Sequence, residues 1–365
     1  MGTVIRIVAK DVRRIVGAVR GKAWSARAAY TERAGILLRL ADEEGRVGVG
    51  EASPLPGFSS DTIDRCEETL RELPVSDIPA LSEDLPIETW LETSAKLLDP
   101  LAAAARFALE TALLDLAAQE RRVSIAELLR GETQGRTIPL AALAQEDEAS
   151  ALLAEIRTAA ARGIEVVKIK IGRRGRFAEE IDLLREVREV FGSSIRLRLD
   201  ANGAWDLTEA SENLRILAEF EPEFVEQPVI PYLLLKMGPS PVPIAADETL
   251  ALPGAAERLS LVPSCRVFVL KPMVLGGFLP TLRIARIGKA RNVGMVVTHL
   301  FDGPIALAAA AELALALPVE PLASGLAPHA GLTVWPDLAV PHLTENAIRP
   351  SGCAGLGVHW PEPMP

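Results

Sequence analysis

Cysteine is scarce in this sequence, and the few cysteines present form no recognisable pattern. The number of cysteines is odd, and the three residues, Cys66, Cys265 and Cys353, are widely spaced and include no C-x-x-C pair. Such a set indicates neither a disulfide framework nor a zinc site, because both need cysteines at defined spacings. The sequence therefore favours a reducing compartment, and we expect the protein in the cytoplasm.

Long basic runs and long uninterrupted apolar runs are also lacking. The formal net charge is −10, and the densest basic run, residues 173–176, is interpreted as a solvated loop. Nucleic acid is therefore not expected as a partner, since phosphate binding needs clustered lysine and arginine. The longest apolar region, 304–323, is broken by Glu312, Pro318 and Glu320 and predicts a buried helix followed by a strand. With no signal-peptide pattern at the start, we expect a soluble protein without a membrane partner.

The length and composition that are present indicate a globular protein of two domains. The chain has 365 residues, of which 49% are hydrophobic and 24% are charged, whereas a disordered chain would be poorer in aliphatic residues. One (β/α)8 barrel takes about 250 residues, which leaves roughly a hundred for a second domain.

The N-terminal third predicts an α+β capping domain. Residues 35–51 predict two antiparallel strands joined by an acidic glycine turn. Two prolines and a glycine in 52–60 forbid regular structure and predict an exposed loop, and 100–119 predicts a long helix with one buried face. We assign residues 1–130 to this domain and expect part of 328–365 to return to it.

Residues 131–327 predict a barrel, because strand and helix signals alternate throughout them. We place the first strand at 137–140. The strands predicted after it are 166–171, 195–200, 224–226, 244–247, 267–271, 294–299 and 319–322. Such alternation is typical of a parallel sheet with outer helices. The predicted fold class is α/β, a modified TIM barrel of (β/α)7β topology that carries the capping domain.

Charged residues stand at the ends of five successive predicted strands. In 195–203 the side chains of Arg196, Arg198, Asp200 and Asn202 alternate with apolar ones, as in a barrel strand whose polar face reaches the mouth. The residues at the five strand ends are Lys168 and Lys170, Asp200, Glu226, Asp247, and Lys271. From Lys170 onward they recur every 20 to 30 residues or so, which is about one strand and one helix of a barrel. The chemistry of such barrels sits at this rim, so we interpret the charges as one site.

Three carboxylates that converge repel one another, so they are seldom built without a cation. Asp200, Glu226 and Asp247 offer only oxygen, which suits Mg²⁺, or alternatively Mn²⁺, better than zinc. A lysine close to a divalent ion and another ammonium has its charged form disfavoured, and we predict that Lys168 and Lys170 lower each other's pKa. A metal beside such a base can remove a proton α to a carboxylate and stabilise the enediolate that forms. We therefore expect a small-molecule carboxylate as substrate. The enolase superfamily is the known example of this arrangement.

Five segments resemble the muconate lactonizing subgroup of that superfamily. They are VKIK at 167–170, LDAN at 199–202, VEQP at 225–228, ADE at 246–248 and LKP at 270–272. Residues 51–59 with Thr62, together with 271–277, are similar to the o-succinylbenzoate synthase family, so the resemblance covers both predicted domains.

The resemblance implies a reaction and roles for particular residues. The reaction is loss of water from 2-succinyl-6-hydroxy-2,4-cyclohexadiene-1-carboxylate to give o-succinylbenzoate, a step of menaquinone synthesis. Lys170 would be the base and then the acid, Lys271 would stay cationic, and Lys168 would tune Lys170 and touch the substrate carboxylate. Asn202 and Glu248 would support the site.

Several assignments keep an alternative. Arg198 is either a supporting residue of the site or a packed barrel arginine. The loop that contains Leu55, Phe58 and Ser59 either closes over the succinyl tail or is a plain surface turn.

Thr298 and His299 end the seventh strand, in a His-Leu-Phe context similar to that of the catalytic histidine of mandelate racemases. A catalytic histidine needs an acidic partner from the sixth strand, where this chain has Lys271, and lysine offers no acceptor. We therefore interpret His299 as a pocket-lining or structural residue. No role is assigned to His329, His342 or His359.

Other functions use the same residues. Racemisation of N-acylamino acids and epimerisation of dipeptides also need two lysines on opposite sides of the substrate carbon, and cycloisomerisation is a third possibility. A non-catalytic barrel that only binds or scaffolds would be expected to have lost a lysine or a carboxylate, and none is missing here. The sequence carries no signal for the oligomeric state.

Overall fold

The computed structural model describes residues 4–19, 30–82, 84–131, 135–328 and 338–358. Its N-terminal part contains the expected antiparallel sheet, in the order β1-β2-β3. The strands are β1 (Ile7–Ala18), β2 (Glu32–Asp42) and β3 (Val47–Ala52). The Asp42 carboxylate accepts hydrogen bonds from the backbone N–H groups of Glu44 and Arg46, and Gly45 has φ +78°, so the predicted acidic glycine turn is confirmed.

Four α-helices follow this sheet in the described part of the N-terminal region. They are α1 (Ile63–Glu72), α2 (Ile87–Ala95), α3 (Ala103–Arg121) and α4 (Ile125–Arg130), and α1 and α3 pack against the sheet. The predicted long helix is α3, and β3 packs directly against its backbone. A Cβ at Gly48 would stand 2.1 Å from the carbonyl oxygen of Ala112, and one at Gly50 would stand 2.0 Å from that of Ala108. Glycine at these two positions is therefore what allows β3 to approach α3 so closely.

The remainder of the chain forms the barrel. Its strands are β5 (Ala141–Ala144), β6 (Val166–Lys170), β7 (Arg196–Asp200), β8 (Phe224–Glu226), β9 (Ile244–Ala246), β10 (Cys265–Leu270) and β11 (Gly294–Val297). Two further short strands, β4 (Ile138–Pro139) and β12 (Ala347–Ile348), form a separate sheet. The helices of the barrel are α5 (Ala149–Ala161), α6 (Phe177–Phe191), α7 (Leu207–Leu217), α8 (Pro231–Leu234), α9 (Ala255–Leu259), α10 (Pro272–Leu275), α11 (Phe278–Ala290) and α12 (Pro304–Ala316). β5 to β11 are parallel neighbours in chain order, which confirms the modified TIM barrel with an α+β cap.

The entry to the barrel differs from the prediction, because 137–140 is not its first strand. β4 pairs antiparallel with β12 from the C-terminal tail, and the first barrel strand is β5, a few residues later. Proline has no N–H to donate to a central ladder, so Pro139 is poorly suited to an interior strand. The tail strand pairs with β4 in a two-stranded sheet, and the carbonyl of Pro139, which needs no N–H, also accepts a hydrogen bond from the backbone N–H of Ser324 at 2.8 Å.

Barrel closure also falls later in the chain than the predicted strand 319–322. Ser324 bridges Leu140 and Gly325 bridges Thr298, both in parallel. The N–H of Leu322 donates to the carbonyl of Met295 at 2.8 Å, and that of Gly325 donates to Val297 at 2.9 Å. Residues 322–325 thus occupy the eighth position as isolated bridges rather than as a regular strand.

The described part of the tail returns to the N-terminal helices, as expected. The backbone N–H of Leu356 donates to Asp115 Oδ1 on α3 at 2.8 Å. His342, for which no role was predicted, is fully buried, and its Nε2 lies 2.6 Å from Glu312 Oε1 on α12. This histidine therefore joins the tail to the barrel and lies within the core.

Candidate active site

Strand register brings the predicted charged residues to one end of the barrel. Lys170 is the neighbour of Asp200 across β6 and β7, and Asp200 is the neighbour of Glu226 across β7 and β8. Asp247 and Lys271 follow directly on the last residues of β9 and β10. Because all these strands are parallel, the five side chains start from the same rim. They surround the upper part of a cavity of about 450 Å³, whose wall includes all of these residues except Asp247.

The three carboxylates are buried and paired with lysines. Asp200, Glu226 and Asp247 are 2%, 2% and 4% exposed. Lys168 Nζ lies 2.9 Å from Asp200 Oδ2 and 3.0 Å from Glu226 Oε1, and Lys271 Nζ donates to Asp247 Oδ2. Such charge-assisted bonds offset part of the cost of burying the carboxylates.

The carboxylates nevertheless differ in their readiness to ionise. Burial, reinforced by the charge of Asp200, raises the pKa of Glu226 to about 7. Burial likewise raises the pKa of Asp247 to about 6. Burial also opposes ionisation of Asp200, but the charges of Lys168 and Lys170 outweigh it and lower the pKa of this carboxyl. The rim thus holds more negative charge than its buried surroundings readily accommodate.

This arrangement fits a hard divalent cation by its donor chemistry. Among the described residues, no three His, Cys, Asp or Glu side chains stand together as a ready metal site, and the carboxylates contact ammonium groups instead. The donors are, however, all oxygen, and two of the three buried carboxyls have raised pKa values. Mg²⁺ and Mn²⁺ prefer such oxygen donors, so the residues present are compatible with the ion that the sequence predicts.

The three lysines differ in the direction of their pKa shifts. Burial, reinforced by the charges of Lys168 and Lys271, lowers the pKa of Lys170 to about 8. Burial acts in the same direction on Lys168, but Asp200 and Glu226 outweigh it and raise the pKa of Lys168. Asp247 raises that of Lys271 in the same way against burial. The prediction that each lysine of the 168/170 pair lowers the other's pKa is therefore wrong for Lys168, because two carboxylates hold its ammonium.

The loop after β3 contributes an apolar wall, so it is more than a surface turn. Leu55 is buried, and the Phe58 ring centroid lies 4.1 Å from Lys271 Nζ. Both side chains line the cavity together with Leu300 and Phe301 of the loop after β11. Ser59 does not line it. The Ser59 hydroxyl instead accepts a hydrogen bond from the backbone N–H of Leu55 at 2.9 Å and closes the turn.

Arg198 is 1% exposed and lies inside the barrel. Its Nε donates to Glu223 Oε2 at 2.5 Å, its Nη1 donates to the carbonyl of Ala323 at 2.6 Å, and its guanidinium lies 4.8 Å from the ring centroid of Phe224. These contacts favour the interpretation of Arg198 as a packed barrel arginine at the floor of the cavity.

Asn202 and Glu248 lie next to Asp200 at the rim. The backbone N–H of Asn202 donates to Asp200 Oδ1 at 3.1 Å, and its side-chain amide lies 3.4 Å from Glu248 Oε1. Asn202 lines the cavity, whereas Glu248 stands behind it. Asn202 thus contacts Asp200 directly, whereas Glu248 is connected to it only through Asn202.

His299 has the surroundings of a structural histidine. Its Nδ1 accepts a hydrogen bond from the backbone N–H of Asp302 at 3.2 Å, so the ring proton lies on Nε2, which is 3.0 Å from the carbonyl of Ala327. Thr298 donates its hydroxyl to the carbonyl of Gly325 at 3.1 Å. Both residues line the cavity, as predicted, and both take part in closing the barrel.

The sequence analysis missed several polar residues at or beside the site, of which Gln145 and Arg33 matter most for the cavity wall. Gln145 lies at the tip of the first barrel strand and lines the cavity. Placing that strand at β5 instead of 137–140 would have identified it, because Gln145 then ends the strand just as Lys170 ends the next. Arg33 on β2 donates to carbonyls of the loops after β3 and β11, and no pattern in the sequence signals this contact.

No helix within the described ranges combines the length and the apolarity needed to cross a bilayer. The fold and its rim of lysines and carboxylates define an enzyme of the barrel type. The chain belongs to the enolase superfamily, in its mandelate racemase and muconate lactonizing enzyme group. Residues 151–363 match the family described as enolase C-terminal domain-like, and residues 15–130 match the N-terminal domain of mandelate racemase and muconate lactonizing enzyme.

Individual relatives carry different activities. The chain is 31% identical over 336 residues to an o-succinylbenzoate synthase of Desulfotalea psychrophila, covering 83% of this chain and 89% of the relative. It is 27% identical over 289 residues to a D-Ala-D/L-Ala epimerase of Cytophaga hutchinsonii, covering 77% and 76%.

Among solved structures, a dipeptide epimerase from Methylococcus capsulatus complexed with Mg and the dipeptide L-Arg-D-Lys has a TM-score of 0.83 at 27% identity. The match covers 97% of this chain and all of the other. Membership in this superfamily of enzymes removes the alternative of a barrel that only binds.

Proposed function

We propose that the protein is a metal-dependent hydro-lyase that converts 2-succinyl-6-hydroxy-2,4-cyclohexadiene-1-carboxylate into o-succinylbenzoate, as in menaquinone biosynthesis in the cytoplasm. The observation that carries the chemistry is Lys170, a half-buried lysine of lowered pKa that is the strand neighbour of Asp200 at the rim. The choice of the synthase rests on the o-succinylbenzoate synthase relative and on the apolar wall that Leu55 and Phe58 form. We further propose 1–130, with part of 328–365, as the capping domain and 131–327 as the barrel domain.

The proposed metal ligands are Asp200, Glu226 and Asp247, and the proposed ion is Mg²⁺ or Mn²⁺. When bound, the ion would supply positive charge for the carboxylate of the substrate. Lys168 stays cationic between Asp200 and Glu226 and is available to the same carboxylate. The carboxylate end of the substrate is thus directed to the β6–β9 side of the rim.

Lys170 is the proposed base. With a pKa of about 8, about a tenth of it is neutral at pH 7, which is enough for a base that acts repeatedly. Lys170 Nζ takes the proton from the ring carbon α to the carboxylate, and the electron pair of that C–H bond is delocalised into the enediolate. As the neighbouring C–O bond breaks, the pair becomes a ring double bond, and Lys170 returns the proton to the departing hydroxide. The products are water and an aromatic ring.

Lys271 is the proposed counter-charge. β6 and β10 are four strands apart in a closed barrel of eight positions, so Lys170 and Lys271 face each other across the cavity. Asp247 and the face of the Phe58 ring both favour the ammonium form of Lys271. A fixed cation at this place offsets the negative charge of the enediolate.

The same opposition of lysines supports a second candidate. One lysine could remove the α-proton of an N-acylamino acid or a dipeptide, and the other could return a proton from the opposite side. The similarity to the Cytophaga hutchinsonii epimerase favours this alternative.

Activity assays with matched lysine variants distinguish the two candidates. The protein is freed of metal with EDTA, Mg²⁺ is restored, and the absorbance of the cyclohexadiene substrate is followed. We expect turnover in wild type and in Lys289→Ala, an exposed lysine on α11, and none in Lys170→Ala. Absence of turnover in wild type would contradict the synthase proposal. Incorporation of deuterium at the α-carbon of N-succinylamino acids in D₂O tests the racemase.

A further inference from the structure

Gln145 is a buried amide of the cavity wall that the proposed mechanism leaves unused. It follows β5 directly and is 9% exposed. Its Oε1 is fully buried and accepts no hydrogen bond. A buried acceptor without a donor is costly, so such a group at the edge of a cavity indicates a donor on a ligand.

Strand register shows which way Gln145 points. Ala141 is the neighbour of Val166 and packs with it and with Ala323 inside the barrel, and Leu143 is the neighbour of Lys168. Side chains two residues apart share a face, so Gln145 points inward beside Lys170. Gln145 and Asp200 therefore flank Lys170 on opposite sides, one on β5 and the other on β7.

The position of Gln145 relative to Lys170 determines which group of the substrate Gln145 can contact. The substrate carboxylate is directed to the carboxylate rim on the β7 side of Lys170. A group on the carbon next to the α-carbon, on the side away from that rim, faces β5. In the cyclohexadiene the two carbons next to the α-carbon carry the succinyl group and the 6-hydroxyl. The succinyl group is assigned to the wall of Leu55 and Phe58 on the Lys271 side, so the 6-hydroxyl is the group that faces β5. This hydroxyl has a proton to donate, whereas the aromatic product has lost it.

We propose that Gln145 is a specificity-determining residue that accepts a hydrogen bond from the hydroxyl group that leaves. The assignment rests on the proposed synthase function and adds a determinant that separates substrate from product. Gln145 Oε1 orients the hydroxyl so that Lys170, after taking the α-proton, is positioned to protonate the departing oxygen. Loss of the hydroxyl as water leaves Oε1 without its donor, which favours release of the product.

Binding measured without turnover tests this assignment. In a Lys170→Ala background, which does not consume substrate, the affinities for the cyclohexadiene and for o-succinylbenzoate are measured by calorimetry with Mg²⁺ present. Adding Gln145→Met, which keeps the length of the side chain but removes the acceptor, is expected to weaken substrate binding about tenfold and to leave product binding unchanged. Adding Gln145→Glu instead retains an acceptor and is expected to keep the preference for substrate over product.

The outcomes separate this assignment from the proposed function. If Gln145→Met weakened the binding of substrate and of product equally, or weakened neither, the assignment of Gln145 would be overturned. The synthase proposal would then still be supported by turnover in wild type. Failure of wild type to turn over the cyclohexadiene would overturn the synthase proposal and this assignment with it.

Discussion

Arg33 joins the two loops that form the apolar wall, and its replacement is expected to damage both stability and substrate binding. The side chain is 1% exposed. On one side its guanidinium donates to the carbonyls of Ser53 at 2.6 Å and Pro54 at 2.9 Å. On the other side it donates to those of Leu300 at 3.1 Å and Phe301 at 3.2 Å. One residue of β2 therefore holds the loop after β3 against the loop after β11.

Arg33→Met keeps a long apolar stem and removes every donor. Four carbonyls lose a donor, three of them buried. Asp302, whose Oδ1 lies 3.7 Å from Arg33, loses the neighbouring cation and keeps the hydrogen bond from the backbone N–H of Leu300. Breaking a buried ion pair from one side costs about 3–5 kcal/mol, and we expect a loss of that size in the free energy of unfolding. Because Leu55 and Phe58 are carried by the released loop, we also expect kcat/KM to fall about tenfold or more, mainly through KM.

Arg39→Met is the matched control. Arg39 lies on the same strand, is 3% exposed and donates to Asp11 on β1, away from the cavity. Urea unfolding followed by circular dichroism is expected to show a loss of stability in both variants, and steady-state kinetics a raised KM in Arg33→Met alone. If Arg33→Met and Arg39→Met both had the KM of wild type, the claim that Arg33 positions the pocket wall would be refuted.

Three further predictions follow from single contacts. In a urea titration, Gly50→Ala is expected to lower the free energy of unfolding by at least about 1–3 kcal/mol, because the new Cβ would stand 2.0 Å from a backbone oxygen. Gly238→Ala, where the new Cβ would lie in open space, should leave the free energy of unfolding unchanged. Burial raises the pKa of Asp302 to about 7, so between about pH 4 and 7 the folded protein binds more protons than the unfolded chain and loses stability as the pH rises. Asp302→Asn should reduce this decline, and a pH profile of unfolding that is the same in the variant and in wild type would contradict the assignment to Asp302. Phe58→Leu removes the ring whose centroid lies 4.1 Å from Lys271 Nζ and should lower kcat/KM about 2- to 30-fold, whereas Phe58→Tyr should retain most activity. Equal kcat/KM values for the two variants would show that the ring face does not stabilise the Lys271 ammonium.

The rim of charges was predictable because it depends on local periodicities. Alternation with a period of two places Asp200 and Arg198 on one face of a strand, and the length of one strand and one helix sets the steps from Lys170 to Lys271. Parallel strands then bring their ends together whatever their helices contain, and the resemblance to the enolase superfamily followed from the residues at those ends.

The errors in the prediction arose where pairing between distant segments decided the outcome. Residues 137–140 have the composition of a strand, but Ile138 and Pro139 pair with the tail strand β12, so the barrel starts at Ala141. Closure by Ser324 and Gly325 likewise depends on partners far away along the chain. Neither pairing can be recognised from the local alternation of polar and apolar residues.

By itself, the sequence determined which residues carry charge to the mouth of the barrel and which oxygen donors a metal would find there. Only the tertiary structure decided that the pKa of Lys168 is raised while that of Lys170 is lowered, that Gln145 follows the first barrel strand, and that Arg33 holds the pocket wall. The physical reason is that a pKa, or an unmet hydrogen bond, depends on which groups burial brings within a few ångströms, and the chain order does not contain those distances.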